Sequence, residues 1–262
     1  MSETVRAVTV DLWHTLLYLP PDEEERYMAG QSRAAVRALA EAPPAPGAEP
    51  VSDDQLPQIY HRELAEAVRA AETGRTVTPV AQFRAMARSA GRVPDVPRYL
   101  EYLTSLVHGT PFVRAPGANE FLRSLRDRGF RVAVISNTVG EPGATLRPAF
   151  HRLGFNEYIE HYTFSDEQPW AKPAPEIFRM TLATLGAEPA SAVHVGDGWS
   201  DMEGAHRAGY RARVLYRGLA DYAPSYGALF RGPPGSEVRP EFEVTDLTEI
   251  PALAERVLGR SG

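Results

Sequence analysis

The stretch Val5–Leu17, VRAVTVDLWHTLL, decides the fold. Val5, Ala7, Val8 and Val10 make a small, β-branched apolar run, which reads as a strand buried on both faces at the centre of a parallel sheet. The run ends in a carboxylate, Asp11, with Thr15 four residues further on. A carboxylate at the end of such a strand lies in the crevice at the carboxyl edge of an open α/β sheet, where ligands bind. On this reading Asp11 is a nucleophile, and three later stretches are placed to serve it.

Outward from Leu17 the pattern turns helical. Asp22 to Ala42 reads as an amphipathic helix, with Asp22 as N-cap and Glu23 to Glu25 favourable in the first turn. Pro43 to Pro50 breaks it. A second helix runs from about Ser52 to Thr73, stopped by Gly74. A third opens at Pro79 and continues to Ser89, and a fourth covers Asp95 to Val107. This block contains no convincing strand and is closed by His108 and Gly109.

From Pro116 strand and helix alternate, which predicts βαβ units and a mostly parallel sheet. The helices are Gly117–Arg128, Ala144–Leu153, Pro175–Leu185, Ser200–Ala208 and Pro251–Leu258. The strands are Arg131–Ile135, Tyr162–Ser165, Ala192–Val195, Arg213–Tyr216 and Phe242–Thr245. Gly218 to Pro240, rich in Gly, Pro and Tyr, reads as a loop. The organisation is therefore a core of residues 1–20 and 109–262 around an inserted helical block, residues 21–108.

Composition narrows the classes. A hydrophobic fraction of 43% supports a proper core across 262 residues. A net charge of -6 with no basic cluster argues against nucleic-acid binding. The absence of cysteine removes disulfides, thiol nucleophiles and thiolate metal sites. No apolar run reaches membrane-spanning length, and no signal peptide precedes the first strand, so a soluble cytoplasmic protein is expected. All but one of the 28 lysines and arginines are arginine; the exception is Lys172. An ammonium kept at one position suits a place that needs a compact point charge rather than a planar fork.

Four strand ends carry polar residues: Asp11 with Thr15, Ser136 with Asn137, Lys172 shortly after a strand, and Asp197 with Asp201. In a parallel sheet all four project into one crevice. Three carboxylates held together repel unless neutralised. Lys172 supplies one positive charge, and a divalent cation would supply the rest. Hard oxygen ligands without imidazole or thiolate suit Mg²⁺. Plainer roles compete at several positions. Asp197 can cap the helix that follows, Ser136 can be a turn residue, and Trp13 can be core as readily as a wall over substrate. His61, His108, His151, His161, His194 and His206 show no metal-ligand spacing and read as structural. Arg26, Tyr27 and Gln31, at the entry to the first helix, can face substrate or simply belong to an amphipathic face.

The chain resembles the haloacid dehalogenase superfamily of hydrolases and phosphatases. The resemblance rests on DLWHT at Asp11–Thr15, VISNT at Val134–Thr138, SDEQPWAKPAPEIF at Ser165–Phe178 and VGDGWSD at Val195–Asp201, in order and with family-like spacing. It implies a Rossmann-like parallel-sheet core with an inserted α-helical cap, and small-molecule chemistry beneath that cap. Residue by residue, it implies that Asp11 forms a covalent aspartyl intermediate, and that Ser136 binds the transferring group with the Asn137 amide nearby. Lys172 would neutralise Asp11 and the developing charge. Asp197 would hold Mg²⁺, with Asp201 as ligand or water-orienting group, joined by Asp11 and the backbone carbonyl of Trp13.

One position departs from the family pattern. Phosphatases of the family usually carry a second aspartate two residues after the nucleophile, as proton donor; here that residue is Trp13, and an indole transfers no proton. Dehalogenases carry an aromatic residue there but tend to lack the metal-binding aspartate, which GDGWSD retains. Weighing the retained carboxylates more heavily, the expected activity is Mg²⁺-dependent hydrolysis of a small phosphorylated metabolite. His14, beside Trp13, is the candidate to lend a proton. The rivals are a 2-haloacid dehalogenase using Asp11 on carbon, and a non-catalytic binding or regulatory protein.

Overall fold

The computed structural model describes residues 4–220, 235–237 and 239–259, so most of the expected Gly218–Pro240 loop lies outside the described residues. The central strand is β1, Ala7–Val10, whose four residues are all buried. It pairs in parallel with two strands at once: Val10 stands opposite Val134 on one side and Val195 on the other.

Four helices follow in sequence: α1 (Pro21–Glu41), α2 (Leu56–Glu72), α3 (Pro79–Ser89) and α4 (Val96–Gly109). They bury a core of their own, in which Ala35, Leu39, Leu56, Tyr60, Phe83, Met86 and Leu103 meet, with the Phe83 and Tyr99 rings stacked 4.3 Å apart. Each large apolar side chain so buried contributes about 1.5–3 kcal/mol. Thr78 caps α3 by accepting from the Ala81 N–H at 3.1 Å, and Asp95 caps α4 by accepting from Arg98 at 3.0 Å. The expected cap of α1 is displaced. Pro20 holds the N-cap position and Asp22 lies inside the first turn, because Pro21 at N1 already has the φ that starts the helix.

The chain leaves the sheet through β2, Leu17–Tyr18, and returns through β3, Val113–Arg114; the two crossings pair antiparallel. The sequence reading had neither strand, since two residues carry no periodicity to detect. The remaining elements alternate: α5 (Ala118–Asp127), β4 (Arg131–Ser136), α6 (Gly143–Arg152), β5 (His161–Phe164), α7 (Pro175–Leu185), β6 (Ala192–Gly196), α8 (Trp199–Ala208), β7 (Ala212–Tyr216), β8 (Phe242–Val244) and α9 (Ile250–Leu258). The six-stranded sheet is wholly parallel, in the order β5-β4-β1-β6-β7-β8.

Strand alternation sorts the core into two layers. Val8, Val10, Val132, Val134, Val193 and Val195 pack with Phe121, Leu125, Phe150 and Leu253 on one face. Ala7, Ala133 and Ile135 pack with Ile177, Phe178, Leu182 and Ala205, from α7 and α8, on the other. This architecture is the expected Rossmann-like α/β core. Because β4, β1 and β6 are neighbours, their carboxyl ends place Ser136, Asp11 and Asp197 side by side.

Candidate active site

Asp11 is fixed at the end of β1 by its own backbone N–H, which donates to Val195 O at 2.8 Å. The chain then turns back on itself. Leu16 and Leu17 N–H both donate to Leu12 O, and His14 N–H donates to Leu17 O at 2.8 Å. His14 holds φ +56° within this turn, the left-handed region, which non-glycine residues occupy at a cost of order 1–3 kcal/mol and which clusters at functional sites.

Lys172 reaches the same point from the loop before α7. Its Nζ lies 2.5 Å from Asp11 Oδ1 and 2.6 Å from Asp201 Oδ1, and only 3% of the side chain is exposed. Asn137 sets that loop. Its Oδ1 accepts from Lys172 N–H at 2.8 Å, and its Nδ2 donates to Lys172 O at 2.9 Å. The Asn137 side chain is thus committed to holding the Lys172 backbone.

Asp201 sits in the first turn of α8 and is shared by three donors. Besides Lys172, His194 Nε2 lies 3.1 Å from Oδ1, and Gly198 N–H donates to Oδ2 at 3.2 Å. The helix-capping role considered for Asp197 therefore falls to Asp201. His194 is held from behind by Thr9 Oγ1, 2.8 Å from Nδ1. Gly196 leaves room for this packing: a Cβ there would stand 2.3 Å from Asp201 Cγ.

The electrostatics follow from burial. Desolvation pushes the Asp11 carboxyl up to about 7; Lys172 pulls against it, while Asp201 and Asp197 push the same way. Asp197 is raised as well, first by burial and then by Asp201. Asp201 falls to about 2, because Lys172 and His194 together outweigh its burial. Burial also opposes the Lys172 ammonium, but Asp11 and Asp201 raise its pKa regardless. Oxygens of Asp11, Asp197 and Asp201 lie within 4.8 Å of one another, a set able to hold a hard cation.

Two expected site hydroxyls are in place. Ser136 Oγ and Thr15 Oγ1 are buried and have no hydrogen-bond partner among the described residues. Buried hydroxyls are normally paired, so two orphans beside a nucleophile point to an acceptor supplied by a ligand. Trp13 is packed, 7% exposed, with ring centroids 5.8 Å from Tyr27 on α1 and 5.6 Å from Phe112. It forms a wall between the sheet and the helical block.

Three groups were missed or set aside in the sequence. His194 reads as structural there, yet it lies against Asp201; the signal was a histidine inside a fully apolar strand, whose two ring nitrogens both need partners. Glu24 reads in the sequence only as a favourable first-turn acid, yet it is buried, with Oε1 3.5 Å from His14 Nε2. Burial works against a charged His14, but Glu24, Asp197 and Asp11 outweigh it and raise the imidazole pKa. Glu141, between the expected strand end and the helix from Ala144, carried no role in the sequence and is likewise buried.

Comparison with known proteins agrees with this geometry. Residues 5–209 match the family model described as haloacid dehalogenase-like hydrolase. A phosphoserine phosphatase of Thermus thermophilus is 28% identical over 227 residues, 86% of this chain and 85% of that relative. A 2-haloacid dehalogenase of Pseudomonas syringae superposes with TM-score 0.64 at 24% identity, covering 97% of this chain and 99% of that one. A haloacid dehalogenase-type phosphatase of Thermococcus onnurineus superposes with TM-score 0.59 at 21% identity, covering 98% of this chain and 99% of that one. At these identities the two structures bear on the fold alone. Among the described residues no helix is long and apolar enough to cross a membrane.

Proposed function

The chain belongs to the haloacid dehalogenase-like hydrolases, and within that family we propose that it is a cytoplasmic, Mg²⁺-dependent phosphatase of a small phosphorylated metabolite, with residues 1–20 and 109–262 as catalytic core and residues 21–108 as cap. The observation that carries this reading is the charge count at the sheet edge. Three carboxylates gather with oxygens within 4.8 Å of one another, and Lys172 bridges two of them, Asp11 and Asp201. Such a set is left with surplus negative charge that a divalent metal balances. A halide displacement on carbon draws no advantage from that arrangement.

The donor set fits Mg²⁺: carboxylate oxygens of Asp11, Asp197 and Asp201, with the Trp13 carbonyl as a further oxygen. Bound there, the ion supplies charge stabilisation to the phosphoryl group. The rest belongs to the chain. The Asp11 oxygen not engaged by Lys172 attacks phosphorus, and the bond to the leaving oxygen breaks with its electron pair staying on that oxygen. Ser136 and Thr15, hydroxyls without partners among the described residues, donate to the phosphoryl oxygens. Lys172 stabilises the charge that develops beside Asp11. Water then attacks phosphorus, phosphate departs and the Asp11 carboxylate is restored.

Trp13 supplies no proton to the leaving oxygen. His14, set in place by its turn and by Glu24, is the group proposed to do so. His14→Ala then slows an alkyl phosphate far more than an aryl phosphate, whose leaving group needs no acid. Equal loss on both sinks that role. The wider reading is tested by quenching the enzyme in acid during turnover of ³²P-labelled aryl phosphate. The expected result is a hydroxylamine-labile label on the peptide containing Asp11, absent from Asp11→Asn. Turnover that continues in Asp11→Asn overturns it.

A second reading is kept by one residue. Trp13 where a phosphatase carries its acid is compatible with Asp11 acting on carbon, since halide leaves without an acid, and that enzyme would release halide without metal.

A further inference from the structure

The helical block and the sheet each bury a core, and two short crossings, Leu17–Tyr18 and Val113–Arg114, join them. Units joined in this way move relative to each other unless the contacts between them hold. One such contact is a hydrogen-bonded strip that reaches the loop carrying Lys172. The turn between α2 and α3 lays residues 74–76 along the segment that runs from β5 to Ala171. Ala171 N–H donates to Gly74 O at 3.0 Å, Arg75 forms an antiparallel bridge with Trp170, and Thr76 Oγ1 donates to Ser165 O at 2.9 Å.

The strip grips that loop at both ends. Ser165 and Ala171 are buried, whereas residues 166–170 between them are half-buried or exposed. Ala171 also packs beneath α2, in an apolar cluster with Ala67, Val68, Ala71 and Val139. Gly74 is required at its place. It holds φ +79°, and a Cβ there would stand 2.9 Å from Ala174 Cβ and 3.2 Å from Ala174 N; only glycine takes such a position without strain.

Lys172 is the next residue in the chain. Its own N–H and C=O are bound by Asn137 at the end of β4, while its neighbour Ala171 is bound by the helical block. Adjacent residues are thus held by different units, and both fix where the ammonium meets Asp11 and Asp201. Ser165 carries the link further, since its Oγ accepts from Thr138 N–H at 2.9 Å, two residues beyond Ser136.

We propose that Gly74 and Thr76 are positioning residues for Lys172: the α2–α3 turn is a latch that, when seated, holds the ammonium at Asp11 and Asp201, and that frees the Lys172 loop when the helical block lifts. Its effect on rate rests on the phosphatase reading; its effect on the accessibility of Lys172 does not.

Lys172 is the sole lysine of the chain, so its acetylation by N-hydroxysuccinimidyl acetate, resolved from the terminal amine by peptide mass spectrometry, reports opening of the loop directly. Thr76→Val keeps the shape without the hydroxyl, Gly74→Ala forces the strip apart, and Thr76→Ser keeps the bond. Thr78→Ala is the control, because it removes the α3 cap bond to Ala81 N–H and leaves the strip intact. Thr76→Val and Gly74→Ala should each acetylate Lys172 about tenfold faster than Thr78→Ala, with Thr76→Ser close to wild type. In the same two variants kcat on an aryl phosphate should fall by about tenfold to a hundredfold with KM nearly unchanged, the split expected when the lost interaction acts in the transition state. Acetylation of Thr76→Val no faster than that of Thr78→Ala overturns the proposal, and Thr76→Val decides should Gly74→Ala fail to fold. Unchanged kcat in Thr76→Val, in an enzyme whose wild type turns over the aryl phosphate, overturns it as well. A wild type inert toward that substrate would instead remove the phosphatase reading, and the acetylation rates then decide the latch.

Discussion

Replacing Lys172 by methionine removes the cation seated between the buried carboxylates of Asp11 and Asp201 while keeping most of the stem's volume. The ammonium lies 2.5 Å from Asp11 Oδ1 and 2.6 Å from Asp201 Oδ1. Removing one member of a buried pair costs about 3–5 kcal/mol, because the remaining charge is neither solvated nor paired. At about 2–4 °C per kcal/mol for a chain of this size, Tm at pH 7 should fall by roughly 6–20 °C. The loss should depend on pH with a definite sign. In the wild type Asp201 is held at about 2, so it contributes stability above its unfolded pKa that is lost as pH falls through 2. Without Lys172 its burial is opposed only by the weaker contacts of His194 and the Gly198 N–H, and its pKa climbs. A carboxyl raised in this way stabilises at low pH and destabilises as pH rises. The gap between variant and wild type should therefore narrow from pH 7 to pH 5, and Mg²⁺ should raise the Tm of the variant more than that of the wild type. The assay is thermal unfolding by circular dichroism at both pH values, with and without Mg²⁺. A Tm within about 2 °C of wild type at pH 7, or a gap that widens at pH 5, refutes the reasoning.

Trp13→Asp restores the carboxyl that phosphatases of the family carry; it should raise the alkyl-to-aryl phosphate rate ratio by about 10²-fold or more, at about 3–5 kcal/mol of stability for the lost ring against Tyr27 and Phe112. Steady-state rates on both esters and a denaturant titration check the two halves separately. His194→Phe frees Asp201 Oδ1 from its 3.1 Å contact, and should raise the Mg²⁺ concentration for half-maximal turnover about tenfold, the usual cost of losing an outer-shell partner; an unchanged metal titration counts against it. Glu141, raised from 4.5 to about 8 by burial and by the charge of Asp166, contributes stability that is full below 4.5 and lost as pH rises through 8. Glu141→Gln should accordingly flatten the fall in Tm between pH 5 and pH 8, and an equal fall in both proteins argues against this.

What the sequence disclosed and what it hid divide along physical lines. Val8 and Val10, Arg131 to Ser136 and Ala192 to Gly196 are short apolar runs bounded by polar turns, so the central strands were legible from periodicity. The site residues at their ends were legible because a parallel sheet gathers its carboxyl edges into one crevice. Lys172 stood out through composition alone. Leu17–Tyr18 and Val113–Arg114 were hidden because a two-residue strand is defined by its partner across the chain and not by a local pattern. Glu24 and Glu141 were hidden for a related reason. A glutamate in a first turn or a loop is usually solvated, and only the seating of the helical block on the sheet buries these two. His194 was visible as a residue but not as a role, since its contact with Asp201 depends on how α8 folds back over β6. The boundary between Pro20 and Asp22 turned on one proline whose ring starts the helix.

The account stands or falls on what Asp11 attacks. Phosphate release from an aryl phosphate, with and without Mg²⁺, should be measured beside chloride release from 2-chloropropionate, in the wild type and in Asp11→Asn. The aryl leaving group needs little help from an acid, so Trp13 is no obstacle to this substrate. The account predicts phosphate release that requires Mg²⁺ and vanishes in Asp11→Asn, with no chloride released. Chloride release that proceeds without metal, in an enzyme inert toward the aryl phosphate, would contradict it.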